Sequence, residues 1–93
     1  MKIQKFTDKG IKALKPDYKR YEVSEVNGLG LNLRVSPSGI KSWVYIFSFS
    51  NGIKRRTRVL TLGIYPDLSL TEAREAHSIA RSLRRKGIDP ATE

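Results

Sequence analysis

The sequence predicts an α+β domain: a three- to four-stranded antiparallel sheet, a carboxy-terminal helix packed on one face, and a short amino-terminal helix. Three observations predict it. Apolar residues alternate at period two through the middle of the chain. Asn51-Gly52 stands between two such runs, as a hairpin turn does. After Ser69 the apolar period changes to that of a helix.

Each element has its own local signal. A first helix fits Asp8 to Leu14, with Thr7 as N-cap and Phe6 stapled onto Ile11. Pro16 ends it, because the residue before a proline avoids the helical region. Tyr21 and Val23 alternate with Glu22 and Ser24, and Asn27-Gly28 turns the chain. Leu29, Leu31, Leu33 and Val35 share one side of the next strand; Asn32 and Arg34 lie on the other. Pro37-Ser38-Gly39 is a second turn. The strongest strand is Lys41 to Phe49, with Trp43, Tyr45, Phe47 and Phe49 on one face and Val44, Ile46 and Ser48 on the other. The return strand, Lys54 to Leu62, puts Leu60 and Leu62 with the aromatics and Arg55, Thr57, Val59 and Thr61 opposite. Ser69-Leu70-Thr71-Glu72 is a capping box. Leu70, Ala73, Ala76, Ala80 and Leu83 form the stripe of the second helix, and small alanines let it lie close to a bulky sheet face. Gly87 caps it and Pro90 stops it.

The core is therefore expected on the face of Trp43, Tyr45, Phe47, Leu31, Leu33, Leu60 and Leu62. The opposite face, with Asn32, Arg34, Arg55, Thr57 and Thr61, is left open unless the short first helix covers it. An antiparallel sheet tolerates one solvated face, and such a face can enter the major groove of a duplex.

Charge points to the partner. Eighteen Lys and Arg stand against nine Asp and Glu, a net +9 in 93 residues. An excess of this size in one small domain favours a polyanion. Seven basic residues fall within the first twenty, and a second cluster runs from Lys54 to Arg58. Lys54-Arg55-Arg56, just past a hairpin turn, suits a phosphate clamp; the bland alternative is a charged tip that keeps the hairpin soluble. No apolar run reaches ~18 residues, the length a membrane-spanning helix needs. The start has no apolar stretch of the signal-peptide kind.

Catalytic chemistry finds little support. There is no cysteine, which removes thiolate ligands and thiol nucleophiles. His77 is the sole histidine, and Glu72 and Glu75 do not complete a metal motif with it, so it is expected to pack or sit at the surface. No serine lies in a nucleophile elbow, and no glycine run precedes a helix to hold a nucleotide phosphate. No cofactor or metal is expected.

The ordered motifs resemble a known module. Leu29-Gly30-Leu31, Arg34-Val35-Ser36-Pro37-Ser38-Gly39 and Lys41-Ser42-Trp43 look like the strand–turn–strand of the amino-terminal domain of phage and genomic-island integrases. Leu60-Thr61-Leu62-Gly63-Ile64-Tyr65-Pro66, then Leu68-Ser69-Leu70-Thr71-Glu72-Ala73-Arg74, is the most specific stretch, and Gly87-Ile88-Asp89-Pro90 matches the exit. The resemblance covers about Phe6 to Pro90. It implies a single non-catalytic domain over 1–93, part of a longer tyrosine recombinase whose core-binding and catalytic domains are absent. Such a domain binds arm-type attachment-site DNA through a three-stranded sheet in the major groove, and so supports integration and excision. Double-stranded DNA is the implied partner, with other integrase protomers and an excision factor beside it. The implied setting is the bacterial cytoplasm, on the nucleoid, within a prophage or other mobile element. Tyr65 is read as structural, not as the recombinase nucleophile.

The candidate DNA-binding residues are Asn32, Arg34, Lys54, Arg55, Arg56, Thr57 and Thr61. One departure from related sequences bears on them. Where those often carry basic residues on the outward positions of the central strand, this chain has Val44, Ile46 and Ser48. Two other functions share the same sheet. An RNA-binding module would show exposed sheet aromatics. A protein-interaction module would use Val44 and Ile46 as an exposed apolar patch.

Overall fold

The computed structural model describes residues 2–50 and 52–92. The chain forms a five-stranded sheet, β1 (Lys2–Gln4), β2 (Tyr21–Glu25), β3 (Leu31–Val35), β4 (Lys41–Ser50) and β5 (Arg55–Tyr65), in sequential order. Helix α1 (Asp8–Ala13) joins β1 to β2, and α2 (Leu70–Arg85) follows β5. A short 3-10 turn, Pro90–Thr92, comes last.

The α+β class and the β2 to β5 meander agree with the sequence. The sheet is wider than three or four strands, and it is mixed. β1 pairs with β2 in parallel, Lys2 opposite Val23 and Gln4 opposite Glu25. Three residues carry too little periodicity to announce a strand. β1 exists because β2 offers it an edge, and α1 supplies the crossover that a parallel pair requires.

Local rules hold at the helix ends. Thr7 Oγ1 accepts from Gly10 N at 3.0 Å, and Phe6 and Ile11 are both buried in one cluster. Ser69 and Glu72 make both bonds of the capping box, at 3.2 and 3.0 Å. At the far end of α2, Gly87 N donates to the Arg84 carbonyl and Ile88 N to that of Leu83, both at 3.0 Å. That pair of bonds is a Schellman motif around Gly87. Asn51 of the hairpin turn lies outside the described residues.

β5 runs three residues beyond its expected end. Gly63, Ile64 and Tyr65 are strand rather than turn, and the chain leaves through a cis Tyr65–Pro66 bond. A bulge makes this possible. Trp43 faces Gly63, yet Val44 faces Thr61, so Leu62 is an extra residue. Strand residues alternate sides, and one extra residue shifts the phase. Leu60 and Tyr65 differ in parity, and the bulge lets both point to the core. Gly63 is required there: a Cβ on it would lie 2.9 Å from Leu68 Cδ2.

The core lies where expected. Trp43, Tyr45, Phe47, Leu31 and Leu33 are buried, with Leu60 and Leu62 packed against them at its margin. Ala73 and Ala80 of α2 join them. So do Phe6 and Ile11 from the α1 region, which places α1 on the same face as α2. Lys41, on that face, donates from Nζ to the Ile11 carbonyl at 2.9 Å and so closes the end of α1. Trp43 meets Phe6 and Tyr65 edge-on at 5.6 and 6.1 Å, and its Nε1 donates to the Leu68 carbonyl at 2.8 Å. Trp43→Ala removes all of these at once and should cost about 3–5 kcal/mol. Urea unfolding followed by far-UV circular dichroism would measure it.

His77 sits in the α2 stripe beside Ala73 and Ala80, 5 % exposed. Its ring is edge-on to Tyr45 at 4.9 Å, and Nε2 is 2.8 Å from the Leu29 carbonyl, which requires the proton on Nε2. The packing role is the one found. Burial pushes its pKa below 6.5, outweighing the Leu29 bond, which favours the charged ring. The unfolded chain therefore takes up a proton that the fold resists. Its contribution to stability is present above pH ~6.5 and is lost as pH falls from there through the folded value. Thermal unfolding between pH 7 and 5 should show a falling midpoint, and His77→Gln should flatten that fall.

Candidate nucleic-acid interface

Both helices lie on the Trp43 face, so among the described residues no helix covers the other one. The register places the side chains of that open face in rows. Glu22, Arg34, Ser42 and the exposed Ile64 form one row; Ser24, Asn32, Val44 and Thr61 form the next. Ile46 faces Val59, Ser48 faces Thr57, and Ser50 faces Arg55 further along the hairpin. The aromatic residues of β4 all point to the other side.

The candidate residues do not share one environment. Arg34 is a quarter exposed, and its Nε donates to Glu22 Oε2 at 2.9 Å across β2. Arg20 adds a looser contact to the same carboxylate at 3.7 Å. The contact to Glu22 restrains the guanidinium of Arg34 on the open face. Thr57 and Thr61 are exposed on β5. Arg55 is exposed, and Nη1 lies 3.3 Å from Ser48 Oγ.

Asn32 is different. It is 2 % exposed, and its Nδ2 donates to the Gly30 carbonyl at 3.0 Å. Its Oδ1 is buried without a partner. Gly30 can be nothing larger, since a Cβ there would lie 2.5 Å from the Ile46 carbonyl. Asn32 thus holds the entry of β3, and it offers no free amide edge for a bidentate contact with adenine.

The basic run after the hairpin divides. Alternation puts Arg55 on the open side and Arg56 and Arg58 on the helix side, opposite Phe49 and Phe47. Arg58 is tied to Asp89 at 3.1 Å, so it does not extend a clamp on the open face. Arg56 and Lys54 are exposed near the tip. Arg74 is likewise structural. It pairs with the buried Glu25 at 2.8 Å and donates to the Phe6 carbonyl at 3.1 Å, while Glu25 also accepts from Phe6 N.

The apolar patch expected at Val44 and Ile46 is not formed. Val44 is fully buried, in register with Asn32 on β3 and Thr61 on β5. Ile46 is half-buried. The aromatic platform that would serve RNA is also absent from this face among the described residues, since Trp43, Tyr45 and Phe47 are core. Tyr65, read as structural, is so: its hydroxyl donates to Asp8 Oδ1 at 2.8 Å. That bond holds the Asp8 carboxyl below its usual range and pushes the Tyr65 hydroxyl up.

Two residues of this region were not singled out from the sequence. Glu22 becomes Arg34's partner only once β2 and β3 are in register. Arg84, at the end of α2, reaches the Ser48 carbonyl at 2.8 Å, thirty-six positions away. Neither has a local signal that could reveal it.

Comparison with known proteins agrees with this geometry. Residues 6–93 match the Arm DNA-binding domain family. The chain is 34% identical over 87 residues to the prophage integrase IntZ of Escherichia coli K12, covering 94% of this chain and 21% of that protein. It is 37% identical over 92 residues to the prophage integrase IntA of the same strain, covering 96% and 21%. It is 39% identical over 84 residues to the integrase of Shigella phage Sf6, covering 90% and 20%. The chain spans about a fifth of the length of these relatives. The described part has no helix long and apolar enough to cross a membrane. The chain belongs to the Arm DNA-binding domain family and is a DNA-binding domain of the integrase type.

Proposed function

We propose that this domain recognises arm-type attachment-site DNA, and that it does so by laying the open face of its sheet in the major groove. The observation that carries the proposal is the placement of both helices on the Trp43 face, which leaves the sheet face of Arg34, Arg55, Thr57 and Thr61 open, with Val59 and Ile64 among them. Strands of such a face can enter the major groove, where each base pair presents its own pattern of donors and acceptors.

Within that reading, Arg34 and Arg55 are the principal contacts. Arg34, oriented by Glu22, suits the two acceptors of a guanine edge. Arg55, Lys54 and Arg56 hold phosphates at the hairpin end, and Thr57 and Thr61 bond bases or phosphates along β5. Asn32 acts indirectly, by fixing Gly30 and the start of β3. The same domain would tether a tyrosine recombinase to sites flanking the crossover region, together with other protomers and an excision factor. Its place would be on the bacterial nucleoid.

The test is fluorescence anisotropy with a labelled arm-site duplex and a random duplex, at several salt concentrations. Tighter binding of the arm duplex, weakening steeply as salt rises, is expected. Equal weak binding to both would reduce the function to charge alone. Arg34→Ala and Arg55→Ala should each weaken binding while leaving the fold intact. Loss of a bidentate base contact costs about 1–3 kcal/mol, so Arg34→Ala should also blunt the preference for one base pair. Wild-type affinity in both variants would overturn the sheet-face reading.

A further inference from the structure

The β4–β5 hairpin outruns the rest of the sheet. β3 pairs with β4 only as far as Tyr45, and a last bond from Ile46 N to the Gly30 carbonyl, 2.9 Å, closes that pairing. From Phe47 to Ser50, β4 has β5 on one side and no strand on the other among the described residues. Backbone groups alternate direction along a strand. Ile46 N points to β3, so the Ser48 carbonyl points into the gap where β3 has ended.

Two arginines meet at Ser48. Arg84 comes from α2, and its Nε donates to the Ser48 carbonyl at 2.8 Å. Arg55 comes from the open face, with Nη1 3.3 Å from Ser48 Oγ. Beside Arg84 the missing strand leaves a notch of about 210 Å³, lined by Gly28, Leu29 and Gly30, by β4 from Tyr45 to Ser48, and by Arg84; Arg55 lies across β4 from it. No carboxylate lines it.

We propose that this notch binds a phosphate of the DNA backbone, with Arg84 as its charged donor. The inference rests on the DNA-binding reading and adds a site to it. Arg84 spends Nε on the protein, which holds its planar fork in place and leaves the terminal nitrogens for a ligand. A guanidinium held in this way loses less side-chain entropy on binding than a free one. Its fork matches two phosphate oxygens. The notch lies at the edge of β4 where β3 has ended, next to Ile46 and Ser48 of the open face, so a duplex lying on that face comes within reach of it. A peptide strand is the poorer occupant. It would need the Ser48 carbonyl as an acceptor, and Arg84 already occupies it.

The test compares wild type, Arg84→Gln and Arg55→Gln on an arm-site and a random duplex across a salt series. Each phosphate contact adds about 0.9 to the slope of log affinity against log salt. Arg84→Gln should lower that slope by about one contact and weaken both duplexes equally, because a phosphate carries no sequence. Duplexes with one neutral methylphosphonate at successive positions then locate the contact. One position should weaken wild type and leave Arg84→Gln unaffected. Circular dichroism checks the fold, and Arg84→Met takes the place of Arg84→Gln should that variant fail to fold; Arg55→Gln, outside the notch, should keep the sensitivity of wild type at that position. An unchanged slope in folded Arg84→Gln overturns the notch while leaving the sheet-face reading in place. So does a loss confined to the arm duplex. Absence of any duplex binding by wild type overturns the DNA reading, and the notch with it.

Discussion

Trp43 holds the two halves of the structure to one face of the sheet. Its ring meets Phe6 from the amino-terminal segment and Tyr65 from the end of β5. Its indole nitrogen bonds the Leu68 carbonyl just before α2. Opposite it on β5, where the strand bulges, stands Gly63, against which Leu68 packs. These contacts draw α1 and α2 to the same side. A second helix on the far side would have covered the polar rows of β3, β4 and β5. The open face is thus a consequence of where the largest buried side chain sits.

Charge is distributed with the same economy. Not all of the +9 is available to a polyanion. Arg74 holds the buried Glu25 and the Phe6 carbonyl, and so binds α2 to the β1–α1 corner. Arg58 holds Asp89 near the carboxy-terminal turn. Lys41 closes α1. These cations act on the helix side. The open face keeps Arg34, restrained by Glu22, and Arg55 beside Ser48. A restrained arginine presents its donors in one direction, and that restraint favours recognition over diffuse attraction. The seven basic residues of the first twenty surround α1 and the chain after it, and supply a broader field.

The centre of the open face is closed rather than sticky. Val44 and Asn32 are buried there, and exposed apolar side chains of this face include Val59 and Ile64 on β5. Polar and charged groups stand around that centre, on β2, the outer part of β3, and β5. A surface of this kind carries contacts at its rims, where a groove's phosphates and base edges meet it.

Most elements were legible because their rules are local. Capping boxes, hairpin turns and period-two alternation act over a few residues, and α2, β3, β4 and the first part of β5 followed from them. The division of core from open face followed too, since alternation along β4 leaves only two choices for Trp43. β1 was not legible, because a three-residue strand is made by its partner. Nor was the extension of β5 past Leu62, which depends on a bulge that only packing against Leu68 explains. At the site, the sequence named Arg34 and Arg55 but could not pair Arg34 with Glu22, bury Asn32 or send Arg58 to Asp89. It could not bring Arg84 to Ser48. The sequence by itself determined which side of each strand a residue takes and where the charge lies. Tertiary structure alone decided which of those charges stay available, because that depends on register and on contacts between residues far apart in the chain.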